Sequence, residues 1–478
     1  MREVARLLVP PIRWDPLRGL GAAWPAVERA LDAGVGGFML DGIPTSVAAN
    51  LAQRIRDRAD EAPLLVADPA LFGDDASAEE GLSLPPLAAL AALRDTHALR
   101  RAARATARAV RRAGCNTMLA PSADVAGVPR TDTFGADPNT VALALTEWID
   151  AAQADGVLCC AGSFPGAGRI TDPRSTSVVR AAEDALYATD LVPFRAAIDA
   201  GVAAISMAVA GYPALDGSGV PASLSARVIG RVLRGELGFD GLVVADGRLL
   251  DTRAGRPVPA CDLASAGVDV IVRSDRLDVE LRALLDAVQQ GRLHRARVHD
   301  AAWRRRTRAE LASAPLPFET FRTEDAEWLD ELAERTIVVV RGRAVRVVAP
   351  IELAIVGGAP PPDPATMMAA FANGVAQAGG DGSSVRHASA PLVTTRSALV
   401  VIAAAGGDYA AWTSGTRAAN ELATICAEAH RSRRDVAVIW CGHPDATPEA
   451  LDADLLIACW SPSGAMLRAC GRWLMRRV

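Results

Sequence analysis

Lysine is absent from all 478 residues, so every one of the 51 basic side chains is an arginine. Schiff-base aldolases, pyridoxal-phosphate enzymes and Walker-type nucleotide hydrolases each need a lysine amine at a defined point, and all three are excluded. Histidine is scarce as well, with His97, His294, His299, His387, His430 and His443 making the full set. None lies between residues 98 and 293, so an imidazole-based acid or metal site would have to be assembled from distant segments. With no His-bearing ligand spacing, neither a metal nor any other cofactor is expected. The eight cysteines form no CxxC pair, and Cys159-Cys160 sits in an apolar run where thiols act as small core hydrophobes; a reduced, cytoplasmic setting is expected. Long charge-free apolar stretches are missing, which argues against a membrane helix, and the short apolar start is broken by Pro10 and Pro11, unlike a signal peptide. The net charge is only −5, and the arginines of 100–112 recur at helical spacing among Ala and Thr as on a solvated helix face. No nucleic-acid partner is expected.

What is present is ample apolar material, 50% of the chain, and a length that suits two or three domains. Short apolar runs at 4–9, 37–40, 64–67, 117–120, 157–161, 204–208, 242–245 and 268–272 read as buried strands. Helical patterns such as 24–33, 99–113, 140–152, 191–200 and 226–237 fall between them. Eight strands alternating with helices is the grammar of a (β/α)8 TIM-type barrel, whose chemistry lies at the strand C-terminal ends. Asp68, the 162–168 loop and Asp246 fall there. The barrel is expected over 1–314, a linker and helix over 315–335, and a three-layer α/β sandwich over 336–478. In the last of these, 353–356, 398–402, 436–440 and 455–459 read as strands and 416–430 as a helix. Gly357-Gly358 reads as a tight turn rather than a phosphate contact, and the Gly- and Ser-rich 374–384 as a loop.

Several motifs carry a resemblance to a known family. Leu119-Ala120-Pro121-Ser122-Ala123-Asp124-Val125 and Phe134-Gly135-Ala136-Asp137-Pro138 are followed by Ala161-Gly162-Ser163-Phe164-Pro165-Gly166-Ala167-Gly168. Further on come Pro213-Ala214-Leu215-Asp216, Pro221-Ala222-Ser223-Leu224-Ser225, and 233–241 leading into Val243-Val244-Ala245-Asp246. In order and spacing these resemble glycoside hydrolase family 3, of the bacterial β-N-acetylhexosaminidase type. The resemblance implies a barrel followed by an α/β sandwich. It also implies retaining hydrolysis of a terminal β-linked N-acetylglucosamine, with an Asp nucleophile and an Asp-His dyad on a loop in place of the usual acid.

Position by position, the resemblance places Asp246 at the nucleophile and Asp68 where sugar hydroxyls are held. The family loop reads K-H-F-P-G-H-G; here Gly162 and Ser163 stand for its Lys and first His, and Ala167 for the second His of the acid/base machinery. Asp132 stands for a sugar-binding Arg, unless Arg130 reaches that place, and Val209 for a His at the sixth strand's end. In the D-T-x-x-D-S-H continuation Ser175 departs, and Asp172 is a candidate replacement acid, although Asp before Pro more often opens a turn. Asp246 has its own bland alternative, capping the turn that follows. Ser163 lacks a neighbouring His or Lys to activate it, and His443 reads as a loop residue.

Three functions follow from this pattern. The first is a catalytically impaired or inactive relative that binds carbohydrate or a protein partner. The second is an active retaining β-glycosidase of altered specificity using Asp246, and the third a structural subunit; a homo-oligomer is left open.

Overall fold

The computed structural model describes the chain apart from residues 1, 13, 16, 18, 41, 69–83, 171–176, 256, 274–275, 313, 316–322, 358–362, 389–396, 406–411, 414, 450 and 478. It divides into two compact units. One holds the described residues of 1–71, 99–128 and 136–321, and the other those of 72–98, 129–135 and 322–478.

The first unit is the expected barrel. Its strands are β1 (Leu8–Val9), β2 (Gly37–Met39), β3 (Leu64–Ala67), β4 (Thr117–Met118), β5 (Leu158–Phe164), β6 (Ala204–Met207), β7 (Leu242–Asp246) and β8 (Val270–Val272). Every pairing is parallel, in the order β1-β8-β7-β6-β5-β4-β3-β2, and a bridge from Pro11 to Met39 brings the two ends of the sheet together. Alternate residues fill the interior, Leu64 with Val66, Leu158 with Cys160, Leu242 with Val244 and Val270 with Val272, as the two-residue period of a strand requires. The opening run 4–9 is shorter as a strand than its apolar content suggests, because Arg2–Ala5 forms a helical turn first. The 226–237 pattern is a π-helix over Val228–Glu236. The helix Pro138–Ala154 starts where its sequence directs: Asp137 accepts the Thr140 N–H at 2.7 Å and Pro138 follows, with no N–H to lose.

At the N-terminal ends of β7 and β8 the barrel is tied by one fully buried carboxylate. Asp269 accepts Arg234 Nη2 at 2.7 Å, Arg297 Nη2 at 2.5 Å and the Val243 N–H at 2.9 Å, with Arg304 Nη1 at 3.7 Å. Such ends serve stability in a barrel of this kind, since reactions occur at the opposite face.

The second unit has a six-stranded sheet ordered β11-β10-β12-β13-β14-β9. These are β9 (Val338–Gly342), β10 (Ile351–Gly357), β11 (Val385–His387), β12 (Leu399–Ala404), β13 (Val436–Trp440) and β14 (Leu455–Ala458). All pairs are parallel except the antiparallel edge β9. Alternate residues divide between two cores, Val400 and Ile402 on one face and Val401 and Ala403 on the other, which makes the three-layer sandwich. Of the two edge strands, Val385–His387 is short and polar and left no apolar signal, whereas Val338–Gly342 was passed over although Ile337 to Val340 is an apolar run. The 374–384 stretch departs from the loop expected there. Gly374 belongs to the helix Pro364–Gln377, where a Cβ would stand 2.0 Å from the Arg468 carbonyl oxygen, so glycine here permits close helix packing. Helix Leu87–Ala92 also belongs to this unit, its Ala88 and Ala89 packing on Trp460.

Among the described residues no helix is long and apolar enough to cross a membrane, and no group of three or more His, Cys, Asp or Glu is arranged to hold a metal ion. All eight cysteines are buried and none is in a disulfide.

Candidate active site

Strands β3, β7 and β8 deliver three charged side chains to the same end of the barrel. Asp68 directly follows β3, Asp246 ends β7 and Arg273 directly follows β8. The Arg273 guanidinium spans the two carboxylates, donating from Nη1 to Asp246 Oδ2 at 2.5 Å and from Nη2 to Asp68 Oδ2 at 2.9 Å. The cluster is largely shielded, with side-chain exposures of 11% for Arg273, 18% for Asp246 and 24% for Asp68. Charge-assisted bonds of this kind are short and strong. The other oxygen of Asp246 caps the helix Gly247–Ala254, Oδ1 accepting the Leu249 N–H at 2.8 Å. The capping role and the strand-end position therefore coincide in one residue.

Arg273 holds φ at +55°, a left-handed conformation unusual for a side chain that is neither Gly, Asn nor Asp. Sequence reading passed over this residue. Its place just after the eighth strand was a usable signal, but the backbone turn that aims it across the barrel mouth leaves no mark in composition.

The 162–168 loop is held from below by residues whose roles the sequence did not assign. Asp124 Oδ1 accepts two backbone donors, the Ser163 N–H at 3.1 Å and the Ala167 N–H at 2.7 Å. The Tyr212 hydroxyl donates to the Gly166 carbonyl at 2.7 Å, and the Gly127 N–H to the Gly168 carbonyl at 2.9 Å. Arg169 clasps Asp190, its Nε at 2.9 Å from Oδ2 and its Nη2 at 2.8 Å. Burial pushes the Asp190 carboxyl up while the guanidinium pulls it down. At 1% exposure it serves as an anchor.

Around the loop and the other positions singled out in the sequence, each described residue has a definite setting. A Cβ on Gly162 would stand 1.8 Å from Ser206 Oγ, so the space beside residue 162 is occupied by a neighbouring strand's hydroxyl. A Cβ on Gly168 would meet the Val125 carbonyl oxygen at 1.8 Å, which leaves glycine as the fitting residue. Val209 follows β6 and is half-buried. Arg130 and Asp132 pair with each other, Nε to Oδ1 at 2.8 Å and Nη2 to Oδ2 at 2.6 Å, within the second compact unit. Asp172 and Ser175 lie outside the described residues, as do Pro69 to Phe72 and Gly358. In the second unit His443 Nδ1 accepts the Asp445 N–H at 3.2 Å, its ring meets Trp460 edge-on, and burial lowers its pKa. These contacts give it a local, loop-shaping place.

The arrangement offers two carboxylates at strand C-terminal ends, where a barrel of this kind carries its chemistry, with a guanidinium between them. The 162–168 loop, at the same end of β5, presents Gly162, Ser163 and Ala167, none of which can exchange a proton near neutrality.

Residues 25–307 match the family model described as the glycosyl hydrolase family 3 N terminal domain. Over 295 residues the chain is 29% identical to a β-N-acetylglucosaminidase/β-glucosidase of Cellulomonas fimi, covering 56% of this chain and 51% of that protein. A β-hexosaminidase of Xanthomonas campestris is 38% identical over 144 residues, 29% of this chain and 42% of that one. The chain thus spans about half the length of these curated relatives. Among solved structures, a family 3 β-N-acetylglucosaminidase from a Paenibacillus species superposes with a TM-score of 0.82 at 23% identity, over 100% of this chain and 96% of that one.

Proposed function

The chain belongs to glycosyl hydrolase family 3, and on that footing we propose that its barrel is a carbohydrate site of the β-N-acetylhexosaminidase type whose hydrolytic chemistry is impaired. The observation that carries this reading is how the 163–167 loop is held. Asp124 binds it through the backbone N–H groups of Ser163 and Ala167, so the loop keeps its shape with no proton-transferring side chain on it. The named activities of the relatives, β-N-acetylglucosaminidase, β-glucosidase and β-hexosaminidase, point to a terminal β-linked hexose or N-acetylhexosamine as the ligand.

Retaining hydrolysis has two demands. A carboxylate must attack the anomeric carbon, and an acid must protonate the departing oxygen. Asp246 supports the first demand by position. Losing the second costs about 10²- to 10⁴-fold in rate, and the cost falls on poor leaving groups. A second reading, an active retaining β-glycosidase that uses Asp246, draws support from the juxtaposition of Asp246 with Asp68.

A leaving-group series separates the two. With aryl and alkyl β-glycosides of the same sugar, the impaired site gives measurable turnover, if any, only on the most activated aryl members, and the rate falls steeply as the leaving group becomes more basic. Alkyl glycoside or disaccharide turnover within about tenfold of the best aryl substrate would establish a working acid and favour the second reading.

A further inference from the structure

We propose that Arg273 is a built-in latch on this site, bridging both carboxylates and thereby competing with a neutral sugar for them; the inference rests on the carbohydrate-site reading above. Three observations converge on this side chain. Its two terminal nitrogens are divided between Asp246 Oδ2 and Asp68 Oδ2, carboxylates brought from strands β7 and β3. It is the most shielded member of the cluster. And it carries its backbone at φ +55°, a conformation that a residue with a Cβ rarely adopts and that persists only where the surroundings enforce it.

Each bond has a consequence for a ligand. A carboxylate receives a sugar hydroxyl by accepting its proton in a hydrogen bond, and Asp68 Oδ2 already accepts Arg273 Nη2. A carboxylate attacks an anomeric carbon with an oxygen lone pair. Asp246 Oδ2 is bound to the guanidinium, and Oδ1 is bound to the Leu249 N–H that starts the next helix. The charge-assisted bond draws electron density from Oδ2 and the helix cap draws it from Oδ1, so each oxygen attacks less readily than that of a carboxylate without these donors. Releasing the guanidinium removes one charge-assisted bond from each carboxylate at once, so one side chain bears on hydroxyl binding and nucleophilicity alike.

Glycine at 273 removes the guanidinium and also suits the left-handed backbone, so the variant is expected to fold. The probe is a 2-fluoro β-glucoside with a dinitrophenyl leaving group, which needs no acid assistance. Its anomeric carbon forms a bond to a carboxylate oxygen as the bond to dinitrophenolate breaks, and the nitrophenolate departs with the electron pair. Intact mass and peptide mapping at neutral pH follow the adduct. Arg273→Gly is expected to label at Asp246 about 10- to 100-fold faster than the parent, the span set by loss of one hydrogen bond to a charged group, and Arg273→Gly/Asp246→Asn is expected not to label. Arg273→Gln, which keeps a polar side chain without charge, is expected to label faster than the parent as well and serves if the glycine variant does not fold.

A folded Arg273→Gly or Arg273→Gln that labels no faster than the parent overturns the latch, and slower labelling makes Arg273 a positioning residue for the nucleophile instead. Neither result touches the missing acid. The impaired reading has its own failure, rapid turnover of alkyl glycosides by the parent protein.

Discussion

Replacing Asp269 with alanine is expected to lower the stability of the barrel by about 3–5 kcal/mol, the range for removing one partner from a buried ionic cluster. The carboxylate is fully buried and is shared by Arg234 and Arg297, with Arg304 close by. Its loss leaves guanidinium charge in a region that burial already disfavours, as the lowered pKa of Arg234, driven first by desolvation, indicates. Arg234 retains the Phe239 and Gly241 carbonyls, and Arg297 those of Gly267 and Val268, so their side chains stay in place while the charge goes unbalanced. The Val243 N–H at the start of β7 loses its acceptor at the same time. Asp269→Asn keeps the shape and is expected to cost less. Urea unfolding followed by a barrel-specific signal checks this, and a loss under about 1 kcal/mol for the alanine variant, the scale of a surface ion pair, would mean that the cluster contributes little.

The second large effect concerns the loop. Gly168→Ala puts a methyl 1.8 Å from the Val125 carbonyl oxygen, which is backbone and cannot rotate away. The 125–127 and 166–168 segments must then separate, breaking the bond from the Gly127 N–H to the Gly168 carbonyl. A cost of about 1–3 kcal/mol or more is expected from overpacking of this kind. Gly230→Ala is the contrast. A Cβ there meets nothing within 4 Å and φ is not positive, so it is expected to be neutral or stabilising by up to about 1 kcal/mol. Equal melting temperatures for the two variants would show that the 162–168 loop is looser than its contacts indicate.

The fold was legible because periodicity is a local property. Leu64–Ala67 and Val436–Trp440 carry their strand boundaries in their own residues. The edge strand Val385–His387 was not, because it buries little and shows little apolar pattern, whereas Val338–Gly342 was passed over although Ile337 to Val340 is an apolar run. Within the site, Asp68 and Asp246 were found because strand ends follow from strand positions. Arg273 also follows a strand, but its importance lies in a long-range pairing across 205 residues to Asp68, which no local pattern encodes. Ser206 and Gly162 are a similar case, since only the sheet register brings a hydroxyl into the space beside the glycine. The substitution of Asp132 looked like a lost sugar contact. The structure gives it a definite partner, Arg130, two residues away.

These observations change the meaning of the altered 162–168 loop. Asp124 and Tyr212 hold it through the backbone groups of Ser163, Ala167 and Gly166, and Asp190 pairs with the Arg169 side chain just beyond it, so the loop's form does not depend on its own side chains. The remaining carboxylates are present but engaged.

The most direct test is intact-mass measurement on the parent protein incubated at neutral pH with activated 2-fluoro β-glucoside and 2-fluoro β-N-acetylhexosaminide probes. A clamped Asp246 in an acid-deficient site predicts an unmodified mass over the time in which a working retaining β-glycosidase is fully converted. Rapid stoichiometric labelling that maps to Asp246 and disappears in Asp246→Asn would contradict that account.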